Sequence, residues 1–149
     1  MILFVDTSAL VRRYDLTEPG SDQVLRLCRP ANGHEITLLS ITSVEVASAL
    51  HRKLRDGAID PAQRTRMWRL FVEHCRRQYR FLTLDQPMYR RAQRLVGRHT
   101  LRAYDALQLA AALEFARSLP RVTEFRFCTA DRPQARAAEG EGLLVEIIS

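Results

Sequence analysis

Four carboxylates in this sequence stand at joints between strand-like and helix-like segments, where side chains from distant parts of a chain can meet. Asp6 ends the opening apolar run of "MILFVDTSAL", and two hydroxyl residues, Thr7 and Ser8, follow it. Glu45 lies in "TSVE", Asp105 in the first turn of "RAYDALQLAAALEFA", and Asp131 in "CTADRP", two residues after Thr129. Each has an ordinary structural use. Asp6 and Asp131 suit the N-cap of a following helix. Thr42-x-x-Glu45 has the form of a capping box, in which the glutamate reaches back to an orphan backbone N–H. Asp105 gains from the positive end of a helix dipole. Its helix, however, carries two adjoining apolar stripes, Ala106, Leu109, Ala110 and Leu113 beside Leu107, Ala111 and Phe115. A helix so apolar is largely buried, and a carboxylate at its start needs a positive partner. Arg102 is the partner within the chain; a metal ion is the other.

Separate structural uses do not explain the joint pattern. If the strands are parallel, all four acids fall on one rim of the sheet, with Thr7, Ser8 and Thr129 nearby. Like charges that close repel, and some stay protonated. A hard divalent cation relieves the conflict, since Mg²⁺ takes oxygen ligands, usually through one or two carboxylates, and keeps several waters. Water activation and neutralisation of phosphate charge suit phosphodiester hydrolysis. The sequence has no G-x-S-x-G, no P-loop Gly-Lys pairing and no D-x-D after the first strand, where Ser8 stands instead.

The elements that must position these acids alternate. Strands are expected at 2–5, 35–40, 80–84, 125–129 and 143–148. Helices are expected at 8–14, 20–29, 42–55, 86–97, 102–119 and 133–140. A further helix starts at "DPAQ", with Asp60 as N-cap and Pro61 at the first helical position, and carries Met67, Leu70, Phe71 and His74 on one side. Strands separated by helices predict an α/β fold: a three-layer α/β/α sandwich around a mostly parallel sheet of four to five strands. Ligands of such sheets bind outside the carboxyl ends of the strands.

The bulk properties agree. A chain of 149 residues makes one domain with a proper core, and 46% hydrophobic with 27% charged residues is the composition of a soluble globular protein. No apolar run approaches the ~20 residues that span a bilayer, and residues 2–5 are too few for a signal-peptide core. A cytoplasmic protein with no membrane partner is expected. Cys28, Cys75 and Cys128 form no C-x-x-C pair and read as small buried hydrophobes, and the scattered histidines give no zinc site. Net charge is +6, and only Lys53 among the 23 basic residues is a lysine. Eleven arginines crowd between Gln63 and Arg102 against Glu73 and Asp85, which would attract a polyanion or an acidic partner.

Taken in order, "ILFVDTSALVRRY", "TSVEVASALHRKLRDGAID", "LRAYDALQLAAALE" and "FCTADRPQARAAEGEGL" resemble the PIN-domain ribonucleases, most of all the VapC toxins of toxin–antitoxin pairs. The resemblance runs from Ile2 to Ile148. It implies a single PIN domain over residues 1–149 and a Mg²⁺- or Mn²⁺-dependent endoribonuclease that cuts structured RNA such as tRNA or rRNA. It implies a catalytic acidic quartet of Asp6, Glu45, Asp105 and Asp131, with Asp6 and Asp105 as main metal ligands and Glu45 and Asp131 completing the cluster, partly through water. Thr7, Ser8 and Thr129 match supporting hydroxyls. A homodimer and a cognate VapB-like antitoxin are implied as partners. Gln108 stands where many relatives carry His, a difference expected to change little.

With that function, Arg98, Arg102 and Tyr104 become candidate RNA contacts, and Tyr79 and Tyr89 candidate stacking platforms. Two rival readings stay open on the sequence: a non-catalytic RNA- or protein-binding module of the same fold, and a phosphohydrolase or receiver-like domain using Asp6 as a covalent acceptor.

Overall fold

The computed structural model describes every residue from Met1 to Ser149. Strand β1 (Ile2–Val5) leads into a short helix α1 (Thr7–Leu10), a 3₁₀ turn over Val11–Arg13 and helix α2 (Ser21–Leu27). Strand β2 (Glu35–Leu39) is followed by α3 (Thr42–Arg55) and α4 (Pro61–Arg77), and β3 (Tyr79–Leu82) by α5 (Gln86–Arg98) and α6 (Ala103–Ser118). Strand β4 (Phe125–Thr129), helix α7 (Arg132–Gly140) and strand β5 (Val145–Ile147) complete the chain. The expected sequence of elements is present throughout. Two strands sit slightly elsewhere: β3 begins at Tyr79 and stops at Leu82, and β5 shrinks to three residues.

All neighbouring strands pair in parallel, in the order β3-β2-β1-β4-β5. Successive connections run outward from β1 to β3, and the chain then returns to the other side of β1 to build β4 and β5. The reversal falls between β1 and β4, the place where open α/β sheets leave a crevice for ligands. Pairing of Val5 with Cys128 puts Asp6 level with Thr129 just above that crevice.

Alternation along the strands separates two cores. Leu3, Val5, Ile36 and Leu38 point into a layer built from α1 to α4, where they meet Leu10, Val24, Val46, Leu50 and Phe71. Phe4, Leu39, Phe125 and Phe127 point the other way, onto Leu95, Leu109, Leu113 and Ala138 of α5 to α7. Both faces are covered, as a parallel sheet requires. Helix α6 is the most buried helix, as its double stripe predicts, with Ala106 and Leu109–Leu113 all buried. Helix α4 starts where expected, with a true capping box between Asp60 and Gln63. Leu70 departs from its predicted side: it is 43% exposed, while Phe71 takes the core position beside Tyr14 and Trp68. The cysteines are free; Cys28 and Cys128 are buried and Cys75 partly so. No helix is long and apolar enough to cross a membrane.

Candidate active site

Asp6 leaves β1 in extended conformation and caps α1, its Oδ1 accepting from the Ala9 N–H at 2.9 Å. The expected cap is real, yet it occupies only part of the carboxylate. Ser8 Oγ donates to the same group at 2.9 Å, and Thr129 Oγ1 donates to Oδ2 at 2.9 Å from the end of β4. With 2% exposure, Asp6 is buried, and that burial pushes its pKa up to about 7 against these hydrogen bonds; the negative charge of Asp105 adds to the rise.

Glu45 corrects the sequence reading. Helix α3 is capped by Ile41 with no side-chain bond, so Thr42-x-x-Glu45 forms no capping box. The glutamate turns away from its own helix end. Its Oε2 accepts from Thr7 Oγ1 at 2.6 Å and from Gln108 Nε2 at 2.7 Å, groups that lie 38 and 63 residues away. Such partners are invisible to a local pattern. They draw the carboxylate toward the seam between α1 and α6.

Asp105 lies in the first turn of α6, half-buried, and its pKa is raised first by burial and then by the charges of Asp131 and Glu45. Arg102, the partner expected within the chain, opposes the rise without closing an ion pair. Asp131 caps α7 through the Gln134 N–H at 2.8 Å. Gln134 is fully buried; its Oε1 lies 3.0 Å from Thr129 Oγ1, competing with Asp6 for that hydroxyl's single proton, and its Nε2 donates to the Asp105 backbone carbonyl at 3.1 Å. Its side chain therefore bolts the start of α6 to the end of β4.

Asp6, Glu45, Asp105 and Asp131 thus occupy one rim, where Asp105 feels the charges of Asp131 and Glu45 and Asp6 that of Asp105, and Thr7, Ser8 and Thr129 hold two of them by hydrogen bonds. The acids do not close into a cage: no three His, Cys, Asp or Glu side chains are gathered tightly enough to enclose a metal ion. The donor set nonetheless fits a hard cation. It is all oxygen, it is repelled by its own charge, and Mg²⁺ needs only one or two carboxylates beside its waters.

Two buried residues of the rim, Gln108 and Gln134, had no assigned role from sequence. A signal existed for Gln108, the one polar side chain among the buried residues of α6. Of the candidate RNA contacts, Arg102 and Tyr104 are exposed at the start of α6. Arg98 is also exposed, though it pairs with Glu141 at 3.2 Å. Tyr89 is exposed on α5, but Tyr79 is no stacking platform: it is 8% exposed, and its hydroxyl lies in a buried cluster with Arg13 and Tyr14. Burial of its ring against Phe71 outweighed its place among the arginines.

Solved structures share this fold. VapBC2 from Rickettsia felis bound to a promoter DNA fragment matches with 14% identity and a TM-score of 0.67, covering 100% of each chain. PAE2754 from Pyrobaculum aerophilum matches with 19% identity and a TM-score of 0.66, covering 97% of this chain and 83% of its own. FitAcB from Neisseria gonorrhoeae matches with 17% identity and a TM-score of 0.60, covering 97% of this chain and 96% of its own. No curated protein matches the chain by sequence. The PIN domain model matches residues 3–139, a span that runs from within β1 into α7 and includes all four acids, and the chain belongs to the PIN domain family.

Proposed function

We propose that this chain is a single-domain, divalent-metal-dependent endoribonuclease toxin, held in check by a cognate antitoxin. The observation that carries the reading is that hydrogen bonds tie Asp6 to the end of β4 and Glu45 to α1 and α6, while Asp105, half-buried beside them with its carboxyl pushed upward by that burial, closes no ion pair within the chain. Such a group is relieved by a cation placed among the acids. Asp6 and Asp105 would hold Mg²⁺ or Mn²⁺ directly, with Glu45 and Asp131 completing the set, partly through water. The bound ion would lower the pKa of a water and neutralise phosphate charge at the scissile bond.

The chain's own groups prepare that chemistry. Ser8 and Thr129 fix both oxygens of Asp6, and the Ala9 N–H fixes its tilt. Gln134 ties the backbone of Asp105 to the strand that presents Thr129. Exposed Arg102 and Tyr104 flank Asp105, suited to a phosphate contact and to stacking on an unpaired base. The antitoxin reading draws on the fold shared with VapBC2 and FitAcB. Use of Asp6 as a covalent phosphate acceptor fits less well, because Ser8 stands where a D-x-D nucleophile motif carries its second acid.

The test is RNA cleavage by the purified chain with and without chelator. Cutting that needs Mg²⁺ or Mn²⁺, and that falls by at least about 100-fold in Asp6→Asn and in Asp105→Asn with the fold intact, is the expected result. RNA binding without metal-dependent cutting would return the protein to the class of binding modules.

A further inference from the structure

We propose that Gln108 is a positioning residue for Glu45, setting the orientation in which that carboxylate meets a divalent cation; this rests on the metal-dependent reading above. Gln108 is 2% exposed, on the same face of α6 as Asp105 and one turn further along. A polar amide in such a place is costly unless its hydrogen bonds are made. Its Nε2 faces three oxygens: Glu45 Oε2 at 2.7 Å, Thr42 Oγ1 at 2.9 Å and Thr7 Oγ1 at 3.2 Å. An amide nitrogen has only two N–H groups, so three acceptors compete for them. Thr7 Oγ1 donates its own hydrogen bond to the same Glu45 oxygen at 2.6 Å.

One oxygen of Glu45 is therefore clamped by donors from α1 and α6, while Oε1 accepts nothing from the chain. The opposite end of the amide makes the same point. Gln108 Oε1 is buried with no hydrogen-bond partner. Turning the amide over would set that carbonyl against the Glu45 carboxylate, so Glu45 dictates the orientation at the expense of an unmatched acceptor. Because Asp105 and Gln108 ride on one rigid helix, the clamp also fixes Glu45 relative to Asp105. Removing an oriented partner of a metal-binding side chain commonly costs about 10- to 100-fold in metal affinity or activity.

The experiment compares the full chain with Gln108→Met, which keeps the volume and removes the donor, and Gln108→His, which keeps a ring N–H. Mn²⁺ binding is measured by titration calorimetry, and kcat and KM on an RNA substrate are measured alongside. Gln108→Met is expected to weaken Mn²⁺ binding by about 10- to 100-fold and to lower kcat with KM unchanged, since the side chain is buried away from RNA. Gln108→His is expected to recover most of both losses. Wild-type Mn²⁺ affinity and kcat in Gln108→Met would overturn the proposal, as would a His variant no better than the Met variant. Should Gln108→Met fail to fold, Gln108→Glu carries the test, because it keeps the shape and sets a carboxyl against Glu45; wild-type kcat there would overturn the proposal. A wild-type chain that binds Mn²⁺ in a Gln108-dependent way yet cuts no RNA would defeat the ribonuclease reading and leave the positioning role standing. Metal-dependent cutting indifferent to Gln108 would do the reverse.

Discussion

Two buried polar networks lie in this molecule, and they are built on opposite plans. At the carboxyl ends of the strands, acids outnumber the groups that could neutralise them, and hydroxyls and amides orient the surplus. Near the strand beginnings, Arg13 is buried among neutral partners: Tyr79 Oη at 2.5 Å, Gln78 Oε1 at 2.8 Å and His74 Nε2 at 3.4 Å. Tyr14 joins the second network through the hydroxyl of Tyr79 and through His74 Nδ1. His74 is pushed down to about 4 by burial and then by Arg13, so it stays neutral and leaves the cation as the cluster's charge. Both networks are polar, buried and made of residues far apart in the chain. Only the first leaves negative charge that a cation from outside could neutralise. Burial of polar groups thus marks architecture as readily as chemistry, and the sign and balance of the charge separate the two.

The comparison can be broken most forcefully at Arg13. Arg13→Met takes a donor from the Tyr79 hydroxyl, which keeps Tyr14, and leaves the part-buried Gln78 Oε1 without its partner, a loss worth about 1–3 kcal/mol when such a group goes unsatisfied in the interior. Denaturant unfolding should show that loss, His74 should titrate higher by NMR, and metal-dependent cutting by the surviving folded fraction should be unchanged. Lost cutting in a well-folded variant would show that the two networks communicate.

Asp6 supplies the contrasting test. Folded Asp6 holds its proton up to about pH 7, whereas the unfolded group releases it near 3.8. Between those values the folded state binds the extra proton, so this residue's contribution to stability falls as pH rises and stays lowest above 7. Without divalent ions, Asp6→Asn should therefore melt higher than wild type at pH 8, and the gap should close below pH 3.8. Adding Mg²⁺ should raise the melting temperature of wild type and not of the variant. A variant less stable than wild type at pH 8 would recast the rim as ordinary scaffold.

The smallest effect is expected where a charge pair is merely exposed. Glu73 and Arg77 form an i,i+4 pair on α4 with side chains 51% and 77% exposed, and Glu73→Ala should change stability by no more than about 0.5 kcal/mol. A larger loss in thermal melts would mean that α4 leans on its surface charges more than on Phe71.

The sequence made the rim legible because its logic is partly local. A strand ending in Asp6, another ending in Thr129 ahead of Asp131, and an apolar helix opening on Asp105 all follow from periodicity and capping. Parallel pairing then brings them to one end without further information. What stayed hidden depends on contacts across the chain. Glu45 imitates a capping box until Thr7 and Gln108 take its carboxylate. Tyr79 looks like a surface aromatic among arginines until Phe71 and Arg13 enclose it. Arg13 itself gave no sign, since one arginine of an "RRY" run looks much like the other.

The rim is also divided between the sheet's two faces. Asp6 and Glu45 come with the layer built first, and Asp105 and Asp131 with the layer built last. The rim is therefore complete only when β4 pairs beside β1 and α7 packs behind it. An intermediate with only the first layer folded carries half of the quartet.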